Sequence, residues 1–169
     1  MLIRTDDLTG PEIQSLLEEH LRHMHEISPP ESVHALDLSA LRGPDISFWT
    51  AWDDRQLLGC AALRQLDARH AEIKSMRTDT AQRRRGVASA LLAHVTSVAQ
   101  RRGFERLSLE TGSEPPFEAA RTLYRSFGFT VCEPFGGYKP DPNSVFMTRL
   151  LRAGDAPPEP VPGADSPER

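Results

Sequence analysis

The chain has 169 residues, 38% of them hydrophobic and 26% charged, with a formal net charge of −4 at pH 7. That length suits one domain with a proper core and is short for two, and the composition is that of a globular protein. Net acidity argues against a general nucleic-acid binder, and no apolar run approaches the roughly 20 residues that span a bilayer.

The first residues, Met1-Leu2-Ile3-Arg4-Thr5-Asp6-Asp7, meet acids at once and lack the apolar stretch of a signal peptide, so a cytoplasmic address without a membrane partner is expected. Leu2 to Arg4 reads as a short strand. Pro11 then opens a helix on which Ile13, Leu16, Leu17, Leu21 and Met24 recur at helical spacing, until Ser28-Pro29-Pro30 stops it. Residues 31–44 read as irregular, with a helical turn around Leu36 to Leu41. Ser47 to Trp52 and Leu57 to Leu66 are β-rich and flank a hairpin turn at Asp53-Asp54-Arg55, and His70 to Thr78 continues the meander. The period then changes. Val87, Leu91, Val95 and Val98 form an apolar helical stripe that Gly103 ends, followed by a strand from Leu107 to Thr111. A helix from Phe117 to Phe127 turns Ala120, Leu123, Tyr124 and Phe127 inward, with Gly128 as its stop. Phe129 to Cys132 and Ser144 to Leu150 read as the last strands. Cys60 and Cys132, the two cysteines, lie in apolar runs and read as buried, reduced thiols. Beyond Arg152 the Pro-rich acidic stretch 153–169 reads as a disordered tail, leaving one domain over residues 1–152. The order predicts an α/β (α+β) fold: a mixed sheet with helices on both faces.

Arg83-Arg84-Arg85-Gly86-Val87-Ala88 carries the strongest chemical signal, because it joins a strand to a long amphipathic helix. Glycine lets the backbone approach a ligand closely, and the unpaired N–H groups of a first helical turn favour an anion. Ser89 adds a hydroxyl. The implied ligand is a diphosphate; taken alone, an arginine run also has the plainer readings of a solvated helix cap or a nucleic-acid patch. Glu72-Ile73-Lys74-Ser75-Met76-Arg77-Thr78 precedes this turn, and Leu123-Tyr124-Arg125-Ser126-Phe127-Gly128-Phe129 follows it.

Together these segments resemble the GNAT superfamily of N-acetyltransferases, whose R/Q-x-x-G-x-G/A signature falls on Arg83, Gly86 and Ala88. The resemblance covers Leu2 to Leu150. More narrowly, Leu109-Glu110-Thr111-Gly112 and Asp141-Pro142-Asn143-Ser144-Val145-Phe146-Met147 are similar to a branch of small bacterial members. It implies the acyl-CoA N-acyltransferase fold, a mostly antiparallel sheet of about seven strands flanked by about four helices. It also implies acetyl-CoA as co-substrate, in a split between the fourth and fifth strands. There the backbone of Met76 and Thr78 would pair with the pantetheine arm, while the turn around Arg83, with the amides of Arg84, Arg85, Gly86, Val87, Ala88 and Ser89, would hold the pyrophosphate. An amine would attack the thioester directly, which needs a base for the ammonium proton and an acid for the thiolate.

The resemblance places Tyr124 at the acid position; its plain structural alternative is a core aromatic. Glu72, eleven residues before Arg83, is the first candidate base, and Glu110 the second. The alternative for Glu72 is a strand-edge charge paired with Lys74 or an arginine. Phe117 stands where many members carry an asparagine that bonds the pantetheine, so that contact is not expected. His34, Tyr138 and Asn143 are candidate acceptor-binding residues, the last two beside turn chemistry of their own. His20, His23, His25 and His34 make no recognisable metal set, and the reaction needs no metal. The expected partner is a small-molecule amine, with the chain a monomer or homodimer. Acetylation of a protein or peptide, or acyl-CoA binding without turnover, are the alternatives.

Overall fold

Two changes of hydrophobic period along the chain, from helix to strands and then to alternating helices and strands, set the architecture. A computed structural model describes residues 1–152; the segment 153–169, expected as a disordered tail, lies outside the described residues. The strands are β1 (Leu2–Thr5), β2 (Ile46–Asp53), β3 (Gln56–Gln65), β4 (His70–Thr78), β5 (Arg106–Gly112), β6 (Thr130–Cys132) and β7 (Ser144–Leu150). The helices are α1 (Pro11–Ile27), α2 (Leu38–Leu41), α3 (Val87–Arg101) and α4 (Glu118–Ser126). The stretch after α1 is less irregular than its sequence suggests. It holds a 3-10 turn at Pro30–Ser32 and then α2, where the Asp37 carboxylate accepts the Ala40 N–H at 2.8 Å.

One sheet contains all seven strands, in the order β1-β2-β3-β4-β5-β7-β6. Its neighbours are antiparallel except β4 and β5, which run parallel on either side of the α3 crossover. Four helices flank this mixed sheet, the architecture expected from the sequence. On one face α3 and α4 cover Ala71, Ile73, Leu107, Leu109 and Met147, all nearly solvent-free. On the other, α1 and α2 bring Ile13, Leu16, Leu17 and Leu41 onto Phe48, Trp52, Cys60 and Ala62. Burial of these two aliphatic layers is the main stabilising term. Among the described residues, no helix is long and apolar enough to cross a membrane.

One irregularity positions everything that follows. The β4–β5 ladder runs only from His70↔Arg106 to Ile73↔Leu109, although β4 continues to Thr78 and β5 to Gly112. At the point of departure β4 bulges. Its register against β3 shifts between Cys60 and Ala62, and Ser75 sits at φ 50°, a left-handed conformation that costs a non-glycine residue about 1–2 kcal/mol. The Cys60 thiol donates to the Ser75 carbonyl at 3.2 Å and pins the bulge from β3.

Candidate active site

Past the bulge, Asp79 donates its N–H to Leu58 on the β3 side. Alternation along the strand then turns the backbone groups of Thr78 and Met76 toward the opposite edge, where β5 has already departed. That edge of β4 is the floor of the split. Beyond it, Asp79 caps a 3-10 turn at Thr80–Gln82 by accepting the Ala81 N–H at 2.8 Å, and the chain enters the turn before α3. Arg84 and Gly86 both take left-handed conformations there, at φ 65° and 70°. Gly86 is the N-cap of α3 and brings no side-chain cap. The first α-helical bond runs from Ala90 N to Gly86 O, so the amides of Val87, Ala88 and Ser89 have no partner within the helix. A Cβ on Gly86 would meet nothing within 4 Å, so the space beside the turn is open. Donor set and space both fit a diphosphate. The three arginines divide their work. Arg85 folds back, Nη1 donating to Gln82 at 2.6 Å and Nη2 to Asp53 at 2.5 Å, so it braces the turn with its side chain, while Arg83 is exposed.

The candidate acid and bases gather where the ladder ends. Tyr124, buried on α4, meets Phe129 edge-on at 5.9 Å between ring centroids. Burial, and then the nearby Glu110 carboxyl, push its phenol well above the usual tyrosine range, so it keeps its proton at neutral pH. Glu110 is the first β5 residue beyond the last paired one. Burial pushes its carboxyl up to about 7, and Glu72 and Asp141 push the same way. Lys74 and the Ser144 hydroxyl oppose them; that hydroxyl lies beside the carboxyl without reaching hydrogen-bond geometry.

Glu72 has a different setting. It is 1% exposed, and its Oε1 accepts from Tyr138 Oη at 2.5 Å and from Lys74 Nζ at 3.3 Å. Lys74, also buried, donates to the Tyr138 hydroxyl at 2.7 Å, closing a three-membered ring of hydrogen bonds. The partner foreseen for Glu72 is present, but the pair is buried and not at a strand edge.

The chain matches the family model described as the Acetyltransferase (GNAT) family over residues 12–129. It belongs to that family. It is 59% identical over 151 residues to the uncharacterized N-acetyltransferase YsnE of Bacillus subtilis (strain 168), covering 89% of this chain and 100% of the relative. To the uncharacterized N-acetyltransferase YedL of Escherichia coli (strain K12) it is 50% identical over 149 residues, covering 88% of this chain and 94% of the relative. Among solved structures, a Bacillus subtilis acetyltransferase in complex with CoA shares the fold, with a TM-score of 0.67 at 17% identity, covering 89% of this chain and 98% of that one. The chain is therefore a GNAT N-acetyltransferase, an acyltransferase enzyme.

In this GNAT chain the loop from Glu133 to Asn143 lies over the β4–β5–β7 face. Tyr138 meets His34 edge-on at 5.0 Å, and Phe135 and Phe146 pack around it. Asn143 Nδ2 reaches Ser32 Oγ at 3.4 Å, and its own N–H bonds the Asp141 carboxylate at 2.8 Å. Ser28 Oγ donates to Glu114 at 3.3 Å. His34, Tyr138 and Asn143 thus share one wall, while His20 and His23 stand beside Arg77 and His25 is exposed. Among the described residues, no three His, Cys, Asp or Glu side chains group as metal ligands. Lys74 and Ser32 were not foreseen as parts of this wall. The signal for Lys74 was its place two residues after Glu72 on a strand, which puts both side chains on one face. Ser32 carried no signal, since a short 3-10 turn brings it across 111 residues of sequence to Asn143.

Proposed function

We propose that the chain transfers the acetyl group of acetyl-CoA to a primary amine of a small molecule by direct attack. The observation that carries this reading is the parting of β4 and β5 after Ile73 and Leu109, with Glu110 and Tyr124 in electrostatic reach of each other at the opening. Bound there, the co-substrate supplies an activated thioester carbonyl. The free edge of Met76 and Thr78 orients the pantetheine arm, and the first-turn amides from Val87 to Ser89 take the pyrophosphate. Glu110, poised near neutrality, accepts one proton from the ammonium, and the free amine forms the new C–N bond as the C–S bond breaks. Tyr124 gives its proton to the departing sulfur and recovers one from the nitrogen, so a single proton is released overall.

Glu72, the first candidate base from the sequence, is better suited to holding Lys74 and Tyr138 in place, because its carboxylate already accepts two hydrogen bonds. The small-molecule reading is supported by the ties across the acceptor side. Ser28 to Glu114 and Asn143 to Ser32 fasten the segment after α1 to the loops on either side of it, which narrows access for a peptide chain. Calorimetric titration with acetyl-CoA tests the foundation: wild type is expected to bind one equivalent, and Gly86→Glu, which places a carboxylate beside the turn, to lose all measurable binding. Equal binding by the two proteins would remove the pyrophosphate role from this turn.

A further inference from the structure

Three polar atoms on or facing the free end of β4 are buried and have no hydrogen-bond partner among the described residues: Arg77 Nε, His20 Nδ1 and Ser75 Oγ. The Arg77 side chain is 12% exposed. Its ion-pair partner among the described residues is Glu19, at 3.6 Å from Nη2, too long for a hydrogen bond. Glu19 is itself half-exposed and also accepts from Thr80 Oγ1 at 3.3 Å. The His20 ring as a whole is half-buried, yet its Nδ1 is sealed. Burial, reinforced by the charges of Arg77 and His23, holds the imidazole down to about 4, so it is neutral and has one N–H to give. Buried polar groups left unmatched are costly and uncommon; Arg77 Nε is a donor in any state, and His20 Nδ1 is one in the tautomer that protonates it, so a single acceptor entering between these facing elements satisfies both.

Their position says which side of the enzyme that acceptor enters from. Arg77 pairs with Cys60 and Lys74 with Ala62, and both of these β3 residues belong to the layer under α1 and α2. Arg77 therefore shares the face of Lys74, Glu72 and Tyr138, opposite the face on which α3 packs. It lies two residues beyond the bulge, roughly 7 Å along the strand. The Nε–Nη edge of a guanidinium is a planar fork that matches the two oxygens of a carboxylate.

We propose that Arg77 and His20 form an anion subsite on the acceptor side, and that the amine acetylated by this enzyme also carries a carboxylate. This rests on the small-molecule N-acetyltransferase reading above and narrows its substrate class to amino acids and related amino-carboxylates. Arg77 binds the carboxylate through its Nε–Nη fork, His20 donates to a second lone pair, and Glu19 swings toward solvent.

Amine pairs that differ only in the carboxylate test this: phenylalanine against phenethylamine, and β-alanine against ethylamine, read by release of free thiol from acetyl-CoA. In wild type the carboxylate-bearing member is expected to show about tenfold or higher kcat/KM. Arg77→Met is expected to erase that preference through a rise in KM, with the acetyl-CoA dissociation constant unchanged, and Arg77→Lys to restore part of it. If Arg77→Met does not fold, His20→Gln is expected to reduce the preference several-fold. Equal kcat/KM within each pair for wild type would overturn the proposal. So would a loss of acetyl-CoA affinity in Arg77→Met that matches its loss of kcat/KM, which would assign the guanidinium to the phosphates of CoA. Should no amine be acetylated, the reading as an amine acetylase fails separately. Titration of phenylacetate into the CoA-saturated protein then decides the subsite, which stands on saturable binding lost in Arg77→Met and falls if wild type binds none.

Discussion

The two faces of strands β4, β5 and β7 are built from alternate residues of the same short segments, yet they live under different physics. Toward α3 and α4 the sheet presents Ala71, Ile73, Leu107, Leu109 and Met147, a dry aliphatic layer in the cluster that also takes in Tyr124. Toward the loop bearing Tyr138 it presents Glu72, Lys74, Ser108 and Glu110, of which the first three are tied by hydrogen bonds and the last sits among their charges. A period of two puts aliphatic and ionisable side chains of one strand on opposite sides of the sheet. Substitutions one residue apart should therefore act on different observables.

The largest effect is expected at Glu72. Glu72→Leu leaves the Lys74 ammonium buried against the Tyr138 hydroxyl without its counter-charge, and denaturant unfolding should show a loss of about 4 kcal/mol. A loss below about 1 kcal/mol would mean that the polar face contributes no more than a surface ion pair. Leu109→Ala, on the dry face, should cost about 3 kcal/mol by the same measurement while kcat of the folded fraction stays near wild type.

Its neighbour should behave in the opposite way. Glu110→Gln is expected to lower kcat about 100-fold and to raise stability at pH 8 by about 2 kcal/mol. The sign follows from the raised carboxyl. Between its ordinary value of 4.5 and about 7 the folded protein keeps a proton that the unfolded chain has released, so stability falls as pH rises through that window. Activity runs the other way, with wild-type kcat/KM rising as pH passes about 7 and the Gln variant losing that step. A Gln variant less stable than wild type at pH 8 would break the division between the faces. The smallest effect is reserved for the hinge between the paired and parted halves of β4. Ser75→Gly should stabilise by about 1 kcal/mol or less, because it relieves a left-handed φ of 50° while adding chain entropy to the unfolded state.

Much of this was legible in the sequence, and what was not has a common cause. The period change at Val87 marked α3, the β-rich runs marked the meander, and Gly86 marked the turn, because each is a local pattern of residue type. The bulge was not, since serine at position 75 carries no sign of a positive φ, and only the register against β3 reveals it. Glu72 and Glu110 were both named, yet their contrasting environments depend on Tyr138, which is 66 residues from Glu72 in sequence. Arg121 sits among the inward residues of α4 and is buried, donating to the Gly112 carbonyl at 2.5 Å, a role that no helical pattern announces. His20 was named only within a histidine-rich segment and Arg77 only as part of a strand, because a missing hydrogen-bond partner is a property of three dimensions.

The free edge of β4 from Lys74 to Thr78 spans about 16 Å of main chain, and its donors and acceptors belong to no particular side chain. A groove made of backbone is blind to most point mutations. Met76 and Thr78 can change identity across a lineage without erasing it, whereas the side chains proposed to meet the acceptor can be replaced one at a time. If that edge holds the acyl donor as proposed, such a protein can diversify its choice of amine over evolutionary time while its hold on the donor is inherited unchanged.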